Sequence, residues 1–327
     1  MLYRRLGKTG REVSAIGFGA WAIGADWGNV DDADSLRALH AAADAGVTLI
    51  DTADVYGDGR SEKVIGRFLR ERSGEKFFVA TKMGRRVPVE MKYYTPEAFR
   101  AWTERSRDNL GVERLDLVQL HCLHPSIYYS PEHFAALDAL VAAGVLASYG
   151  VSVEKVEEAL KAIEFPGVAS VQIIYNIVRQ RPAERFLAEA KRRDVGVLAR
   201  VPLASGLLTG KMTKATQFDP SDHRQYNRHG ESFDVGETFS GVDYQTGLAF
   251  VEELRSLVPG GATMAQMALR WILMADGVTA AIPGAKNADQ ARANASAADL
   301  AALTPETMAR IAGLYEDRIK PLVHQRW

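Results

Sequence analysis

Residues 115–152 read LDLVQLHCLHPSIYYSPEHFAALDALVAAGVLASYGVS, and this stretch decides the predicted fold. The segment Leu115–His121 is predominantly apolar, as expected for a strand of a parallel sheet that is covered on both faces. A serine, a proline and a glutamate then begin the helical pattern Ser130–Ala143, which ends at Gly144. A second apolar run, Ala147–Val151, follows directly. The order of strand, helix and strand predicts a βαβ unit.

The same alternation runs through the rest of the chain. Helical patterns such as Asp32–Ala45, Thr95–Asn109 and Val153–Ile163 separate further apolar runs. Eight strands, each followed by a helical stretch, make a (β/α)8 TIM barrel, a fold of about 250 residues before insertions. Residues 1–327 are therefore interpreted as a single α/β barrel domain. The predicted strands are Ala15–Gly19, Thr48–Asp51, Phe77–Lys82, Leu115–His121, Ala147–Val151, Ser170–Tyr175, Val195–Arg200 and Thr279–Pro283.

Three segments extend this minimal barrel. Ser205–Tyr244 follows the seventh predicted strand and is long, polar and rich in glycine. Connections of that length inside compact domains are usually lids or binding loops. An extra helix, Thr263–Met274, precedes the eighth strand. The tail Asp317–Trp327 is expected to pack over one mouth of the barrel.

Composition excludes several classes of protein. Forty basic and 41 acidic side chains leave a formal net charge of −1, without the basic excess typical of nucleic-acid binding. No apolar run is long enough to cross a membrane, and the first residues lack a secretion signal. The single cysteine, Cys122, excludes an internal disulfide. We expect a cytoplasmic protein without nucleic-acid or membrane partners.

Four polar side chains stand at or just beyond the carboxyl ends of neighbouring predicted strands, where barrels carry their reactive groups. Asp51, Lys82 and His121 end the second, third and fourth strands, and Tyr56 follows in the loop TADVYGDGRSE. Each alone has an ordinary explanation as a cap, a rim charge, a core histidine or a packing aromatic. Together they suit protonation of an oxygen on which negative charge develops. Lys82, held by Asp51, is expected to lower the pKa of the Tyr56 phenol.

Seven ordered segments of the chain resemble the aldo-keto reductase family. The resemblance runs from about residue 2 to about residue 315. One such segment would carry little weight, whereas seven in the family's order are specific. The segments are IDTADVYGDGRSE (Ile50–Glu62), ATKMG (Ala80–Gly84), LDLVQLHCLHP (Leu115–Pro125), YGVS (Tyr149–Ser152), VQIIYN (Val171–Asn176), PLASGLLTGK (Pro202–Lys211) and AIPGAKNADQARAN (Ala281–Asn294).

The resemblance implies a metal-free carbonyl reductase that uses a nicotinamide cofactor and acts on a small-molecule aldehyde or ketone. Asp51, Tyr56, Lys82 and His121 would form its catalytic tetrad, and Trp21, Tyr56 and His121 would contact the substrate. Hydride would pass to the carbonyl carbon while Tyr56 protonates the oxygen. The residues implied for cofactor binding are Gly19, Ala20 and Trp21 beside the nicotinamide; Asp51 of the tetrad; Ser152 and Gln172 at the carboxamide; Arg200 at the ring; Pro202, Leu203, Gly206, Gly210 and Lys211 around the pyrophosphate; and Gly284, Lys286, Gln290 and Asn294 at the adenosine end.

NADPH is favoured over NADH because Lys286 falls where family members place a cation against the 2′-phosphate. Gln290, where some relatives carry arginine, weakens this preference. The structural alternative for Lys286 is a solvated lysine at a helix start.

Two positions depart from the family's pattern. Val153 follows Ser152 where many members have asparagine, which would remove one hydrogen bond to the carboxamide. Arg200 stands where many members place a tyrosine against the nicotinamide ring. A guanidinium can stack on a ring, but it should disfavour the oxidised, cationic form of the cofactor. The alternative is that Arg200 points away and pairs with an acidic residue.

Other functions receive less support from the residues. The family also contains potassium-channel β subunits, so a cofactor-binding regulatory subunit with little turnover is the main alternative. A metal-dependent barrel hydrolase is a third. Gly17–Ala22 matches a dinucleotide fingerprint, but a glycine-rich loop follows it where a helix is required. His121, Cys122 and His124 lie at the end of one strand and rarely would converge on one zinc ion.

The physiological substrate and the oligomeric state are not defined by the sequence. Aromatic residues in the candidate mouth loops suit an apolar substrate pocket, although they equally suit packing of the loops. These residues are Trp21, Trp27, Tyr56, Tyr128 and Tyr129.

Overall fold

A computed structural model describes residues 1–24 and 31–327, so Trp27 lies outside the described residues. Two short antiparallel strands come first, β1 (Tyr3–Arg5) and β2 (Glu12–Ser14). The strands that follow are β3 (Phe18–Gly19), β4 (Leu49–Asp51), β5 (Phe78–Met83), β6 (Leu117–His121), β7 (Tyr149–Ser152), β8 (Val168–Ile174), β9 (Gly196–Arg200) and β10 (Ala280–Ala281). The α-helices are α1 (Asp32–Asp44), α2 (Arg60–Glu71), α3 (Pro96–Leu110), α4 (Pro131–Ala142), α5 (Val156–Ala162), α6 (Phe186–Arg192), α7 (His223–Tyr226), α8 (Tyr244–Leu254), α9 (Met264–Leu273), α10 (Ala288–Ala295), α11 (Pro305–Leu314) and α12 (Lys320–Val323).

Strands β3 to β10 form one parallel sheet in which each strand pairs with the next along the chain. The sheet also closes on itself. The Gly17 amide donates to the Ala281 carbonyl at 2.8 Å, and the Ala281 amide donates to the Ala15 carbonyl at 2.9 Å. The predicted (β/α)8 barrel and its eight strands are therefore confirmed.

The antiparallel pair β1–β2 was not predicted, and it plugs the amino end of the barrel. Leu6, which directly follows β1, and Val13, in β2, are fully buried. They pack in one cluster with side chains from the barrel strands, among them Leu49, Phe78 and Leu117. A second, larger cluster fills the layer between the sheet and the surrounding helices. The mouth at the opposite, carboxyl end of the strands is left for polar residues.

Helix ends follow the sequence signals in most places. Thr95 caps α3 by accepting from the Ala98 amide, as predicted. Ser130 precedes α4 as expected, but its hydroxyl binds the Glu132 carboxylate and makes no cap to the backbone. Helix α5 begins three residues later than predicted. The reason is that the Val153 amide still donates to the Gln172 carbonyl of the neighbouring strand at 2.9 Å.

The chain after β9 crosses the mouth of the barrel as a series of short turns, with α7 inside it, before α8 begins. The tail packs against this segment, in agreement with the prediction. Trp327 is buried, and its indole Nε1 donates to Asp234 Oδ1 at 2.9 Å. None of the helices in residues 1–24 and 31–327 has the length and apolar character required to span a membrane.

Candidate active site

The four predicted catalytic residues come from three adjacent strands and one loop, and they meet at the carboxyl end of the barrel. Asp51 ends β4, Lys82 lies one residue before the end of β5, and His121 ends β6. Tyr56 lies in the tight turns between β4 and α2. Parallel pairing of the strands brings their carboxyl ends to one side of the sheet, which explains why residues far apart in sequence share this site.

Lys82 is the centre of the tetrad. Its buried ammonium donates to Asp51 Oδ1 at 2.6 Å, to the Thr52 carbonyl at 2.7 Å and to the Tyr56 hydroxyl oxygen at 3.4 Å. An ammonium group has three N–H donors, so each of them has an acceptor. Because the Tyr56 oxygen accepts from Lys82, the hydroxyl proton of Tyr56 is directed elsewhere.

A row of polar side chains continues the site across the next two strands. His121, Ser152 and Gln172 are register partners on β6, β7 and β8. The Gln172 amide Nε2 donates to Asp51 Oδ2 at 2.7 Å. The Ser152 hydroxyl lies 3.7 Å from the sulfur of Cys122. Ser152 and Gln172, predicted at the carboxamide, are thus brought to the edge of the tetrad.

Aromatic rings surround the Tyr56 phenol. Trp21 is stacked beside Tyr56, with ring centroids 6.2 Å apart and planes at 20°. His121 meets Tyr56 edge-on at 5.9 Å. His223, from the segment after β9, lies 4.6 Å from Trp21. The three residues predicted to contact substrate, Trp21, Tyr56 and His121, are therefore neighbours.

The electrostatics of the tetrad correct one expectation. Burial raises the pKa of the Tyr56 hydroxyl well above its usual value, and the charges of Asp51 and Glu237 act in the same direction. A lowered pKa was predicted for Tyr56 because of the nearby Lys82 charge, whereas the net shift is upward and burial is its largest cause. The Lys82 ammonium is itself buried and its pKa is lowered, chiefly by that burial. The tetrad therefore holds Tyr56 as a protonated phenol.

His121 is a neutral ring. Burial lowers its pKa well below the usual value, and the cationic Arg85, Lys82 and Arg200 lower it further. Its Nδ1 atom is buried and has no hydrogen-bond partner among the described residues. A neutral imidazole carries one N–H donor and one acceptor nitrogen. His121 can therefore act as a hydrogen-bond donor without carrying charge.

The residues predicted around the first strand lie beside the tetrad. The Ala20 amide donates to the Asp51 carbonyl at 2.8 Å, which fixes the start of the turn that carries Trp21. Gly19 ends β3 and bridges to Gly284 beyond β10. A Cβ at position 19 would meet the Ile282 carbonyl oxygen at 2.7 Å, so only glycine permits this close pairing.

The residues predicted at the adenosine end form a compact group at the start of α10. Gln290 Oε1 accepts from the Lys286 amide at 2.9 Å, and Asn294 Nδ2 donates to the Gly284 carbonyl at 3.0 Å. Burial lowers the pKa of Lys286, and the nearby cationic Arg224 lowers it further. Two cations from different segments thus lie within electrostatic range of each other at this helix start.

The predicted pyrophosphate loop is a sharply turned segment after β9. Leu203 precedes the turn Ala204–Thr209, in which Gly206 has a φ of 91°, and Gly210 ends it with a φ of 68°. Pro202 is buried, whereas Lys211 is exposed. The donor set fits a phosphorylated nucleotide, since backbone amides, a helix start and lysine side chains all favour phosphate oxygens.

The family model for the aldo/keto reductase family matches residues 15–316. The chain belongs to the aldo-keto reductase family. Aldo-keto reductase YhdN of Bacillus subtilis is 30% identical over 303 residues, which cover 90% of this chain and 87% of that protein.

Two solved structures are similar over nearly their whole length. The glycerol dehydrogenase AKR11B4 from Gluconobacter oxydans is 30% identical, covers 94% of this chain and 93% of its own, and gives a TM-score of 0.77. An aldo/keto reductase from Klebsiella pneumoniae in complex with NADP and acetate is 24% identical, covers 96% of this chain and 95% of its own, and gives a TM-score of 0.71. At 24% identity, the similarity to the Klebsiella pneumoniae structure shows a shared fold.

Arg200 of this aldo-keto reductase is held by two acidic residues. One guanidinium nitrogen lies 2.8 Å from Glu154 Oε2 and the other 3.2 Å from Glu237 Oε2. Arg200 also donates to the Val153 carbonyl at 3.1 Å. The pairing with an acid, left open by the sequence, is therefore present, and with two partners.

Three residues of this cluster were missed by the sequence analysis: Arg85, Glu154 and Glu237. Arg85 lies 3.1 Å from Glu237 and continues the chain of ion pairs from Arg200. No periodic signal marks Glu237, which lies in the long segment after β9. Potential metal-ligand atoms of Cys122, Glu154 and Glu237 lie within 4.8 Å of one another. The two carboxylates already bind guanidinium groups, and burial keeps Cys122 a protonated thiol. The cluster therefore suits ion pairs with arginine and does not suit a metal ion.

Proposed function

We propose that this aldo-keto reductase is an NADPH-dependent carbonyl reductase in which Tyr56 gives a proton to the oxygen of an aldehyde or ketone. The observation that carries the proposal is the contact from Lys82 to Tyr56. Since the Tyr56 oxygen accepts from Lys82, its own proton is available to a substrate oxygen. Its raised pKa keeps that proton in place until charge develops on the substrate.

His121 supports the same step. In a buried site, a neutral imidazole can donate a hydrogen bond to an oxygen that becomes negative. Trp21, beside Tyr56, would form an apolar wall that excludes water from the reacting carbonyl. These contacts are suited to a small-molecule carbonyl substrate.

The bound NADPH would supply the hydride. Ser152 would hold its carboxamide together with Gln172, whose Oε1 is the atom left for this purpose because Nε2 binds Asp51. The loop from Pro202 to Lys211 would cover the pyrophosphate. Lys286 would bind the 2′-phosphate, with Arg224 close to it. Arg224 is paired with Asp222 at 2.6 Å, so the preference for NADPH over NADH rests on Lys286.

Cofactor binding is the first test. Purified, chelator-treated protein is titrated with NADPH and NADH in parallel while tryptophan fluorescence is followed. We expect tight binding of NADPH, weaker binding of NADH, and a smaller fluorescence change in Trp21→Phe. Failure to bind either cofactor would overturn the reductase proposal.

Turnover is the second test, on a panel of aldehydes and ketones. Tyr56→Phe keeps the ring and removes the proton donor, so we expect hydride transfer to fall by about 10²–10⁴-fold with NADPH affinity retained. Tyr129→Phe is the matched control, because Tyr129 is 65% exposed. Tight NADPH binding with no turnover of any carbonyl by the unaltered protein would favour the regulatory-subunit alternative.

A further inference from the structure

The ion pairs around Arg200 link the end of one strand to three loops at the mouth of the barrel. Arg200 ends β9, Glu154 follows β7, Arg85 follows β5, and Glu237 belongs to the segment after β9. Arg200 and Glu237 are each less than 9% exposed. Buried ion pairs of this kind are costly to form and are therefore expected to have a role beyond stability.

The two carboxyl groups of the cluster differ in their state. Burial raises the pKa of Glu154 to about 7, although Arg200 opposes the rise. Burial acts to raise the pKa of Glu237, but the cationic Arg200 and Arg85 outweigh it and lower the pKa to about 2, and a hydrogen bond with Glu154 adds to their effect. Near neutral pH, Glu237 is therefore ionised, while Glu154 is poised between its acid and its carboxylate.

The charge of this cluster reaches the reacting groups. The charges of Arg200 and Arg85 both act on the Tyr56 hydroxyl and on His121, and the charge of Glu237 acts on Tyr56. Arg200 also lies 3.6 Å from the sulfur of Cys122, which follows His121 in the chain and lies 3.7 Å from the Ser152 hydroxyl. Arg200 therefore adjoins the residues proposed to hold the substrate oxygen and the cofactor carboxamide.

We propose that the Glu154–Glu237 carboxyl pair, acting through Arg200, sets the relative affinity of the site for the oxidised and reduced forms of the nicotinamide cofactor. This inference rests on the proposed function. It replaces the expectation that Arg200 simply disfavours NADP⁺, because that expectation treated Arg200 as an uncompensated cation.

The sign follows from counting charges. With Glu154 protonated, Arg85 and Arg200 face one carboxylate, and the cluster is net positive. With Glu154 ionised, two cations face two carboxylates. The nicotinamide ring of NADP⁺ carries a positive charge that NADPH lacks, so ionised Glu154 favours NADP⁺. Rising pH should therefore strengthen NADP⁺ binding relative to NADPH binding, and NADP⁺ binding near neutral pH should release protons.

Other titratable and charged groups face Glu154 from the elements packed around it. Burial keeps the Cys122 thiol and the Tyr128 phenol protonated. Burial lowers the pKa of Arg179 to about 9, which still leaves it charged at neutral pH. Asp234, which accepts from Trp327, and Glu158, which accepts from the Glu154 and Lys155 amides, complete the surroundings.

The experiment measures dissociation constants for NADP⁺ and NADPH with the full chain from about pH 5.5 to about pH 9, a range that brackets neutral titration. The ratio of the two constants removes titration of the 2′-phosphate, which both cofactors share. We expect the ratio of the NADP⁺ to the NADPH constant to fall by about threefold to tenfold across this range, as expected for one partly screened charge. Calorimetry in two buffers of different ionisation enthalpy should show proton release with NADP⁺ and little with NADPH.

Glu154→Gln should abolish the pH dependence of the ratio and hold the ratio at its low-pH value. Glu157→Gln is the matched control, since Glu157 lies three residues further along the chain, in α5, but pairs with Arg181 at the surface. If Glu154→Gln does not fold, proton release by the unaltered protein decides the question.

The possible results distinguish failure of this inference from failure of the proposed function. Binding of both cofactors with a pH-independent ratio and no proton release would overturn this inference alone. A pH-dependent ratio that persists unchanged in Glu154→Gln would also overturn it, because another group would then be responsible. Failure to bind either cofactor would overturn the proposed function and this inference with it.

Discussion

The Gln172 amide and the Asp51 carboxylate meet at 2.7 Å across the barrel mouth, 121 residues apart in sequence. Gln172 Nε2 donates to Asp51 Oδ2, while Lys82 donates to Asp51 Oδ1 at 2.6 Å. Each oxygen of the carboxylate therefore has its own buried donor. Asp51 orients both the lysine that contacts Tyr56 and the amide proposed to hold the cofactor, so it couples the two halves of the site.

Asp51→Asn should destabilise the protein by about 3 kcal/mol, because it leaves the buried Lys82 ammonium without its charged partner. The free energy of unfolding is measured by denaturant titration. Asp276→Asn is the control, since it removes an exposed ion pair with Lys191 and should change the free energy of unfolding far less. Equal effects of the two substitutions would contradict the structural role assigned to Asp51.

The rate of hydride transfer should not fall as pH rises from about pH 6 to about pH 9, a range set by the usual histidine and tyrosine values, and ionisation of Glu154 should raise it only slightly. The raised pKa of Tyr56 keeps the phenol protonated above this range, and the lowered pKa of His121 keeps the ring neutral below it. Stopped-flow single turnovers with preformed NADPH complex measure this step apart from cofactor exchange. A rate that fell tenfold per pH unit from neutrality upward would instead indicate a phenol of lowered pKa.

The barrel could be predicted because the sequence signals for its strands and helices lie within each element. Each strand is a short apolar run, and most helices carry their own start and stop signals, such as Thr95 before α3. The β1–β2 pair could not be predicted in this way. Its exposed face carries charged residues, and only Leu6 and Val13 mark its buried side. Their partners are barrel strands distant in the chain, so their role is visible only once the barrel has closed.

In the candidate site, too, residues marked by a local pattern could be predicted, and residues placed by contacts between distant parts of the chain could not. Asp51, Lys82 and His121 could be predicted because each lies at or within one residue of the end of a recognisable strand. The ion pairs of Arg200 with Glu154 and Glu237 could not, since they span 46 and 37 positions and Glu237 lies in a segment without periodicity. The direction of the Tyr56 pKa was also missed. Opposing contributions from charge and burial decide it, and the extent of burial is not written in local sequence.

Lys286→Ala should weaken NADPH binding by about tenfold or more and leave NADH binding nearly unchanged. A charge-assisted hydrogen bond to phosphate contributes about 1.5–3 kcal/mol, and NADH lacks the 2′-phosphate. Fluorescence titrations measure both affinities. Lys214→Ala is the control, because Lys214 is an exposed lysine of the segment after β9. Equal losses for both cofactors would assign Lys286 to the shared part of the nucleotide, and no loss for either would favour a solvated lysine.

Two helical glycines should respond in opposite ways to alanine. Gly66 lies in α2 where it crosses α3, and a Cβ there would meet the Leu110 carbonyl oxygen at 2.6 Å and the Asn109 carbonyl oxygen at 2.8 Å. Gly313, in α11, has nothing within 4 Å of such a Cβ. Alanine gains about 1 kcal/mol of helix propensity over glycine at both positions.

At Gly66 the clash outweighs that gain, because backbone atoms of α3 can move only by separating the two helices. We expect Gly66→Ala to destabilise the protein by about 2 kcal/mol and Gly313→Ala to stabilise it by about 0.5–1 kcal/mol. Thermal and denaturant unfolding of both variants measure the difference. If Gly66→Ala were as stable as Gly313→Ala, the contact between α2 and α3 would have to be looser than the structure describes.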